Sequence, residues 1–276
     1  MKQPLMKIWK VFSFVVWWLL HEWLFDLGYF VGRILVVLVS KPKVYGRENI
    51  PREGGVIITC NHLSQWDLVF MHNLLERPAF YMTKKEFLDI IFIGGLVRLL
   101  GAFPVNRGKY DREALQFSIK LLKDGKQLII FPEGTRSKTF TLAEGHSGAA
   151  LIALQADALI VPVAISGSEK ISRKKEYGPN GKKIKPEVVV RVGQPYHLPQ
   201  PEKGKKQNLE ELGDLMMTRI AEMLPAEYQG AYSPEKLAER KAQRERELAE
   251  QQNQRAAKRA ARKQSQGVEV ETEETV

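Results

Sequence analysis

Four short apolar runs that alternate with helical patterns constrain the fold of this chain more than any other feature. Each run is rich in apolar residues, as expected of a strand that is buried on both faces of a sheet. Strands that alternate with helices predict an α/β fold, in which helices flank a largely parallel, mixed central sheet. The predicted strands are Val56–Cys60, Ala102–Val105, Gln127–Phe131 and Leu159–Ile165.

Two segments between these strands have helical periodicity. Apolar side chains recur on one face from Glu113 to Lys123, and Gly148–Ala156 forms a second predicted helix of small residues. A further strand, Glu187–Val192, is predicted to close the sheet. These elements place one α/β domain at residues 43–230.

Residues 1–42 predict an N-terminal membrane anchor, because they hold four of the five tryptophans and two apolar stretches. The uninterrupted run Val11–Leu20 would span about 15 Å as a helix, half of a hydrocarbon core of about 30 Å. The anchor is either one tilted spanning helix or a two-helix hairpin that enters one leaflet. We favour the hairpin, since charged side chains near the membrane centre are costly. Gly28 and Gly32 have the spacing that lets helices pack closely.

The formal net charge of +10 indicates an acidic partner, which could be anionic lipid, nucleic acid or a phosphorylated substrate. Residues 231–276 form a charged tail, predicted to be helical or disordered, whose basic cluster could contact anionic lipid headgroups. The tail lacks interleaved aromatic residues, so no nucleic acid partner is predicted. The single cysteine, Cys60, cannot form an internal disulfide, which favours a cytosol-facing protein.

A polar motif, Asn61-His62-Leu63-Ser64-Gln65-Trp66-Asp67, directly follows the first predicted strand. His62 is expected at the strand end and Asp67 in the first turn of the next helix, where the two can face each other. A neutral imidazole can remove a proton from an alcohol, and a carboxylate at Nδ1 fixes the tautomer that leaves Nε2 free. The pair predicts general base catalysis in which the acceptor hydroxyl is the nucleophile. Acylation of Ser64 or Cys60 is the alternative.

A second motif, Phe131-Pro132-Glu133-Gly134-Thr135-Arg136-Ser137, follows another predicted strand. Loops at the carboxyl ends of parallel strands open on the same edge of a sheet, so the two motifs can share a pocket. Arg136 offers a planar fork that matches phosphate oxygens, and Gly134 permits close backbone approach. Glu133 either holds the loop or Arg136 in position, which we favour, or binds an acceptor hydroxyl.

The two motifs resemble those of the glycerolipid acyltransferase family, N-H-x-S-x-x-D, with its H-x-x-x-x-D core, and F-P-E-G-T-R-S. Gly101–Arg107 is similar to the intervening G-x-x-x-x-x-R block of that family, and Val161–Ile165 to its fourth block. The resemblance covers about residues 43–199 and points to acyltransferases of the bacterial type that act on 1-acyl-sn-glycerol 3-phosphate.

This resemblance implies that His62 is the catalytic base, that Asp67 orients it, and that the arginine-containing blocks bind the acceptor phosphate. The candidate phosphate-binding residues are Arg107, Glu133, Gly134, Thr135 and Arg136. The candidate supporting residues are Asn61, Ser64, Lys84 and Lys85, of which the lysines could help bind the acceptor or the donor thioester oxygen.

The implied reaction transfers a fatty acyl group to the sn-2 hydroxyl of 1-acyl-sn-glycerol 3-phosphate (lysophosphatidic acid) and gives phosphatidic acid, a step of phospholipid biosynthesis. Acyl-CoA or acyl carrier protein would supply the acyl group as a co-substrate, with no cofactor or metal. The expected location is the cytoplasmic face of the cell membrane. Alternative acceptors are glycerol 3-phosphate and other lysophospholipids. The alternatives of another class are a non-catalytic membrane-binding module and a metallohydrolase, for which the site has few histidines.

Overall fold

A computed structural model describes residues 23, 26–90, 93–106, 111–172, 177, 184–200, 208–246, 249–250 and 253. The chain divides between Gly230 and Ala231 into two compact units. Three sequence predictions fall outside the described residues: the membrane segment up to residue 22, the Arg107 position and the basic cluster after residue 254. They stay predictions.

Within the described residues, the first unit is built on a mixed sheet of seven strands in the order β1-β7-β6-β2-β5-β3-β4. Neighbouring strands are parallel except for β6 and β7, which pair antiparallel. This confirms the predicted α/β fold with a largely parallel, mixed sheet. The strands are β1 (Lys41–Tyr45), β2 (Val56–Cys60), β3 (Ala79–Lys84), β4 (Ala102–Val105), β5 (Gln127–Ile130), β6 (Leu159–Ser166) and β7 (Glu187–Val192).

Helices pack on both faces of the sheet, as expected when strands are buried on both sides. They are α1 (residues 26–39), α2 (Asp67–Leu74), α3 (Lys85–Leu88), α4 (Ile93–Leu99), α5 (Arg112–Lys123), α6 (Gly148–Ala156) and α7 (Leu209–Ala221). The predicted helices at residues 113–123 and 148–156 are therefore present, and α5 begins one residue earlier than predicted. Asp111 caps α5, because its side chain accepts a hydrogen bond from the Ala114 amide.

Strand β2 lies in the middle of the sheet, and all five of its residues are buried. Val56, Ile58 and Cys60 belong to the apolar cluster on the face covered by α2. Ile57 belongs to the cluster on the opposite face, which includes side chains of α5, α6 and α7. The alternation of side chains along a strand thus joins both halves of the core at β2. His62 lies two positions after the last residue of this buried strand.

Helix α1 packs against α2 through Gly28 and Gly32, the two glycines whose spacing predicted close helix packing. A Cβ atom at Gly28 would lie 3.1 Å from the His72 ring, and one at Gly32 would lie 2.4 Å from the Asn73 amide nitrogen. The opposite side of α1 is apolar and exposed, with Phe30, Val37 and Leu38 all more than half exposed. Among the described residues, no helix is both long enough and apolar enough to cross a bilayer.

Three features of the sheet differ from the sequence prediction. Strand β1 was not predicted, because Pro42 and two lysines give it the composition of an edge strand rather than a buried run. Strand β3 was not predicted, because it is only partly buried and lacks a continuous aliphatic run. The predicted strand Glu187–Val192 is present with its predicted bounds, but the prediction that it closes the sheet is wrong, since β7 lies between β6 and β1.

The second unit begins at Ala231 and contains helix α8 at residues 234–246. Its surface is highly charged, and Lys236 forms an ion pair with Glu239 one turn later. The Arg240 guanidinium lies 5.0 Å from the centroid of the Tyr232 ring. The first turns of the predicted charged tail are thus helical.

Candidate active site

The two motifs meet at one edge of the sheet, because β2 and β5 are parallel neighbours. The first motif leaves the carboxyl end of β2, and the second leaves the carboxyl end of β5. Strand β6, the parallel neighbour of β2 on its other side, ends at the same edge. Residues far apart along the chain are therefore close neighbours here, as predicted for an open α/β sheet.

His62 and Asp67 form a hydrogen-bonded pair. Nδ1 of His62 lies 2.8 Å from Oδ2 of Asp67. Asp67 opens helix α2, so its carboxylate turns back toward the strand end that holds His62. If Nδ1 carries the proton shared with Asp67, Nε2 keeps its lone pair for a proton from another molecule. The predicted juxtaposition of the two side chains is present.

The Asp67 carboxylate is fully buried and accepts several hydrogen bonds. Oδ2 accepts from the Leu63 amide at 2.7 Å and from the Ser64 amide at 2.8 Å, in addition to His62. Oδ1 accepts from the Ser168 hydroxyl at 2.5 Å. Hydrogen bonds of this number stabilise an ionised carboxylate away from water.

Glu133 joins the two motif loops. Oε1 of its buried carboxylate accepts the His62 amide at 2.8 Å, and Oε2 accepts the Ala143 amide at 2.9 Å. The Ser137 amide donates in turn to the His62 carbonyl oxygen at 2.7 Å. Burial raises the pKa of Glu133 to about 7, against the opposing effect of the two amides. With both oxygens occupied by backbone amides, Glu133 is placed to hold the loops rather than to contact a phosphate.

An apolar cleft opens beside His62. Its volume is about 610 Å³, and it runs between α5, α6 and the end of β5. The His62 ring stacks on Phe131, with ring centroids 4.1 Å apart and an interplanar angle of 21°. Further side chains along the cleft are Met82, Val105, Ala114, Leu115, Leu151 and Ile152. A cleft with imidazole rings at its border and mainly aliphatic walls suits a hydrocarbon chain with a reactive polar end.

Gly134 allows the second motif to pass close to His146, a cleft residue that sequence reasoning missed. Gly134 has a φ of 66°, and a Cβ atom there would lie 2.9 Å from the His146 ring. His146 also borders the cleft and donates its amide to the Pro132 carbonyl oxygen at 2.9 Å. The one signal in the sequence is a histidine just before the small-residue helix α6, and such a signal is weak on its own.

Other candidate residues occupy different positions at this edge. Thr135 and Arg136 are exposed on the loop after β5, where solutes can reach them. Lys84 ends β3 and pairs with Glu86 at 3.3 Å, and Lys85 begins α3. Both lysines are exposed and follow a strand that is parallel to β5. The structure thus joins His62, Asp67 and Glu133 through hydrogen bonds, whereas the other four residues are exposed at the carboxyl ends of β3 and β5.

Asn61, Ser64 and Cys60 have structural contacts. Asn61 is buried and exchanges two hydrogen bonds of 2.8 Å with the Ile165 backbone, which ties the end of β2 to β6. The Ser64 hydroxyl accepts from the Trp66 amide at 3.2 Å. Cys60 is fully buried, and burial raises the pKa of its thiol. These contacts disfavour acylation of Ser64 or Cys60. In the part of the chain that the structure describes, no group of three or more His, Cys, Asp or Glu residues could hold a metal ion.

Comparisons with known proteins agree with this architecture. A family model described as acyltransferase matches residues 41–166. The chain is 32% identical over 166 residues to a 1-acyl-sn-glycerol-3-phosphate acyltransferase of Bacillus subtilis, covering 60% of this chain and 78% of that protein. A protein of the same description from Streptococcus pneumoniae is 31% identical, with 50% of this chain and 53% of that protein covered. The matched part is thus about half of the length of the second relative.

A solved structure shares the fold. The 1-acyl-sn-glycerophosphate acyltransferase PlsC from Thermotoga maritima superposes with a TM-score of 0.55 at 22% identity, covering 72% of this chain and 79% of that one. The likeness concerns the seven-stranded mixed sheet and its flanking helices.

Proposed function

Because the chain belongs to the glycerolipid acyltransferase family and is an O-acyltransferase, we propose that it acylates the sn-2 hydroxyl of 1-acyl-sn-glycerol 3-phosphate. The acyl donor is a thioester of coenzyme A or of acyl carrier protein, and the product is phosphatidic acid. The observation that carries the proposal is the His62–Asp67 pair at the border of an apolar cleft.

His62 is the general base of this reaction. Nε2 removes the proton of the acceptor 2-hydroxyl as that oxygen attacks the thioester carbonyl carbon. The resulting imidazolium is stabilised by the Asp67 carboxylate at 2.8 Å. When the carbon–sulfur bond breaks, the imidazolium returns its proton to the leaving thiolate. No enzyme nucleophile, metal or cofactor takes part.

The acceptor phosphate binds at the loop after β5. Arg136 is exposed there and offers paired donors to phosphate oxygens. Gly134 and Thr135 precede Arg136 on this loop. Gly134 and the first turn of α6 both border the apolar cleft, and the positive end of the α6 dipole favours a negatively charged group there. Arg107, which follows β4, is a second phosphate ligand in this proposal, and the Lys84–Lys85 pair is a supporting one.

The apolar cleft holds the acyl chain of the donor. Its walls from α5 and α6 are aliphatic, and His62 stands at the border where the thioester carbonyl must lie. Bound there, the reacting carbonyl is kept apart from bulk water, which limits hydrolysis of the thioester.

The exposed apolar side of α1 is the membrane contact of the enzyme. An exposed apolar patch of this kind indicates a lipid or protein partner, and the proposed acceptor is itself a membrane lipid. We place the enzyme at the cytoplasmic face of the cell membrane, where acyl-CoA or acyl carrier protein is available.

The direct test incubates the purified full chain, in vesicles that contain 1-acyl-sn-glycerol 3-phosphate, with acyl-CoA or with acyl carrier protein that bears the same chain. We expect phosphatidic acid with at least one donor, and unchanged turnover in the presence of a chelator. Parallel reactions contain glycerol 3-phosphate or a lysophospholipid with a choline headgroup. Turnover of one of these acceptors alone would replace the proposed acceptor, and no turnover of any acceptor would contradict the function.

A further inference from the structure

The turn that follows β6 brings a buried serine to the catalytic pair. Strand β6 ends at Ser166, at the same edge of the sheet as His62. Gly167 then adopts a φ of 86°, and a Cβ atom there would lie 2.2 Å from the Glu187 carbonyl oxygen. Only glycine fits this reversal, which leads directly into Ser168. Ser168 is fully buried and lies 101 positions after its partner, Asp67.

The hydrogen bonds to Asp67 divide unevenly between its two oxygens. Three of them reach Oδ2, from His62 and from the amides of Leu63 and Ser64. Among the described residues, Oδ1 accepts from Ser168. Without that hydroxyl, Oδ1 would be a carboxylate oxygen in a fully buried position with no donor from the described part of the chain.

We propose that Ser168 is a positioning residue for acyl transfer, which fixes the plane of the Asp67 carboxylate so that Oδ2 stays aligned with Nδ1 of His62. The torsion that rotates a carboxylate is broad, so local backbone geometry alone does not fix it. A hydrogen bond at each oxygen fixes the plane and stabilises the ionised form. Asp67 then orients the imidazole in the reactive tautomer.

A second buried contact fixes the turn that carries Ser168. Glu169 follows Ser168 directly in the chain, and its Oε1 accepts a hydrogen bond of 2.9 Å from the hydroxyl of Tyr228. Both Glu169 and Tyr228 are buried. The Tyr228 carbonyl oxygen accepts the Leu142 amide at 2.8 Å, and the next amide, that of Ala143, donates to Glu133. Tyr228 therefore ties the Ser168 turn to the loop of the second motif.

These positioning residues lie outside the family match. The match ends at residue 166, whereas Ser168, Glu169 and Tyr228 come after it. Ser168 does not border the apolar cleft, and its hydroxyl proton is directed to Asp67. It is therefore separated from both substrates, and its effect on the reaction passes through Asp67.

The test compares steady-state kinetics of Ser168→Ala with Ser118→Ala in the full chain, using the acceptor and donor that the wild type accepts. Ser118 is the matched control, because it is also fully buried and its hydroxyl donates to a backbone carbonyl, that of Ala114. We expect kcat of Ser168→Ala to fall roughly tenfold, as expected for the loss of one hydrogen bond to a charged group that acts in the transition state. KM for both substrates should stay within about twofold, because Ser168 contacts neither.

Two further variants separate orientation from packing. Ser168→Cys leaves no cavity, because its side chain is slightly larger than that of serine, but its thiol is a weak donor, so it should lose kcat as Ser168→Ala does. Tyr228→Phe removes only the hydroxyl that holds Glu169, so it should lower kcat by a smaller factor than Ser168→Ala. If Ser168→Ala does not fold, as judged by its melting temperature, the kcat of Ser168→Cys tests the positioning role instead.

The positioning role of Ser168 rests on the proposed function, but different results would contradict the positioning role and the function. A wild-type protein that acylates no acceptor would contradict the proposed function. An active wild type together with a fully active, folded Ser168→Ala or Ser168→Cys would overturn the positioning role alone. A rise in KM with kcat unchanged would also overturn it, because it would place Ser168 in substrate binding.

Discussion

Nδ1 of His62 lies 2.8 Å from Oδ2 of Asp67, and the two side chains differ sharply in exposure. The Asp67 side chain is 0% exposed, whereas that of His62 is 13% exposed and borders the apolar cleft. The orienting carboxylate is thus kept from water while the base is open to a substrate. This asymmetry suits a base that must exchange protons with a bound lipid but keep one tautomer.

Replacing His62 by alanine should lower kcat by about 10²- to 10⁴-fold, because the acceptor hydroxyl would lose its base. KM for both substrates should change much less. The measurement is phosphatidic acid formation by purified variants of equal melting temperature. His197→Ala is the matched control, since His197 is exposed and lies beside Asp157. Near-normal turnover of His62→Ala would remove His62 from the role of base.

The buried Glu133 should make the stability of the wild type depend on pH. Its pKa is about 7 in the folded chain, compared with an ordinary value of 4.5. Between these values the Glu133 carboxyl holds a proton in the folded chain that it has released in the unfolded chain. Its contribution to the free energy of unfolding therefore falls as pH rises from about 5 to 7 and is level above that range. The total loss is on the order of 3 kcal/mol at most.

Glu133→Gln should abolish this fall, since glutamine does not titrate. The measurement is the free energy of unfolding of both proteins at several values of pH between 5 and 8. Exposed Glu144 provides the control, and Glu144→Gln should leave the slope of the wild type unchanged. Parallel curves for the wild type and Glu133→Gln would show that Glu133 titrates at an ordinary pH.

Arg136→Ala should raise KM for 1-acyl-sn-glycerol 3-phosphate roughly 10- to 100-fold, as expected for the loss of a charge-assisted contact to phosphate. KM for the thioester should not change. Lys123→Ala removes an exposed positive charge from the end of α5 and should have no effect. A selective rise in donor KM would instead assign Arg136 to the thioester carrier.

Leu151→Trp should shift the donor preference toward shorter acyl chains, because Leu151 borders the apolar cleft. We expect the ratio of kcat/KM for a long-chain donor to that for a short-chain donor to fall roughly tenfold. Leu154 is the matched control, since it lies on the same helix, is also half-buried and packs into the core instead. Equal effects of Leu151→Trp and Leu154→Trp would show that the cleft does not hold the acyl chain.

The sequence alone predicted the elements whose pattern is local. Strands β2 and β4 and helix α6 have the predicted bounds, because aliphatic runs and small-residue periodicity are read within one segment. It also placed both motifs at strand ends, and the parallel direction of β2 and β5 follows from the α/β alternation. His62 and Asp67 are only five positions apart, so a strand end and the next helix turn sufficed to predict that they face each other.

Only the tertiary structure placed the residues whose roles depend on distant contacts. The edge strand β1 owes its conformation to pairing with β7 rather than to its own composition. Lys41 of β1 pairs with Glu187 of β7, 146 positions later in the chain. Glu133 meets the His62 amide across 71 positions, and Ser168 meets Asp67 across 101. Such contacts form because the sheet brings the ends of three parallel strands together, and no local pattern of residues encodes which side chains then meet.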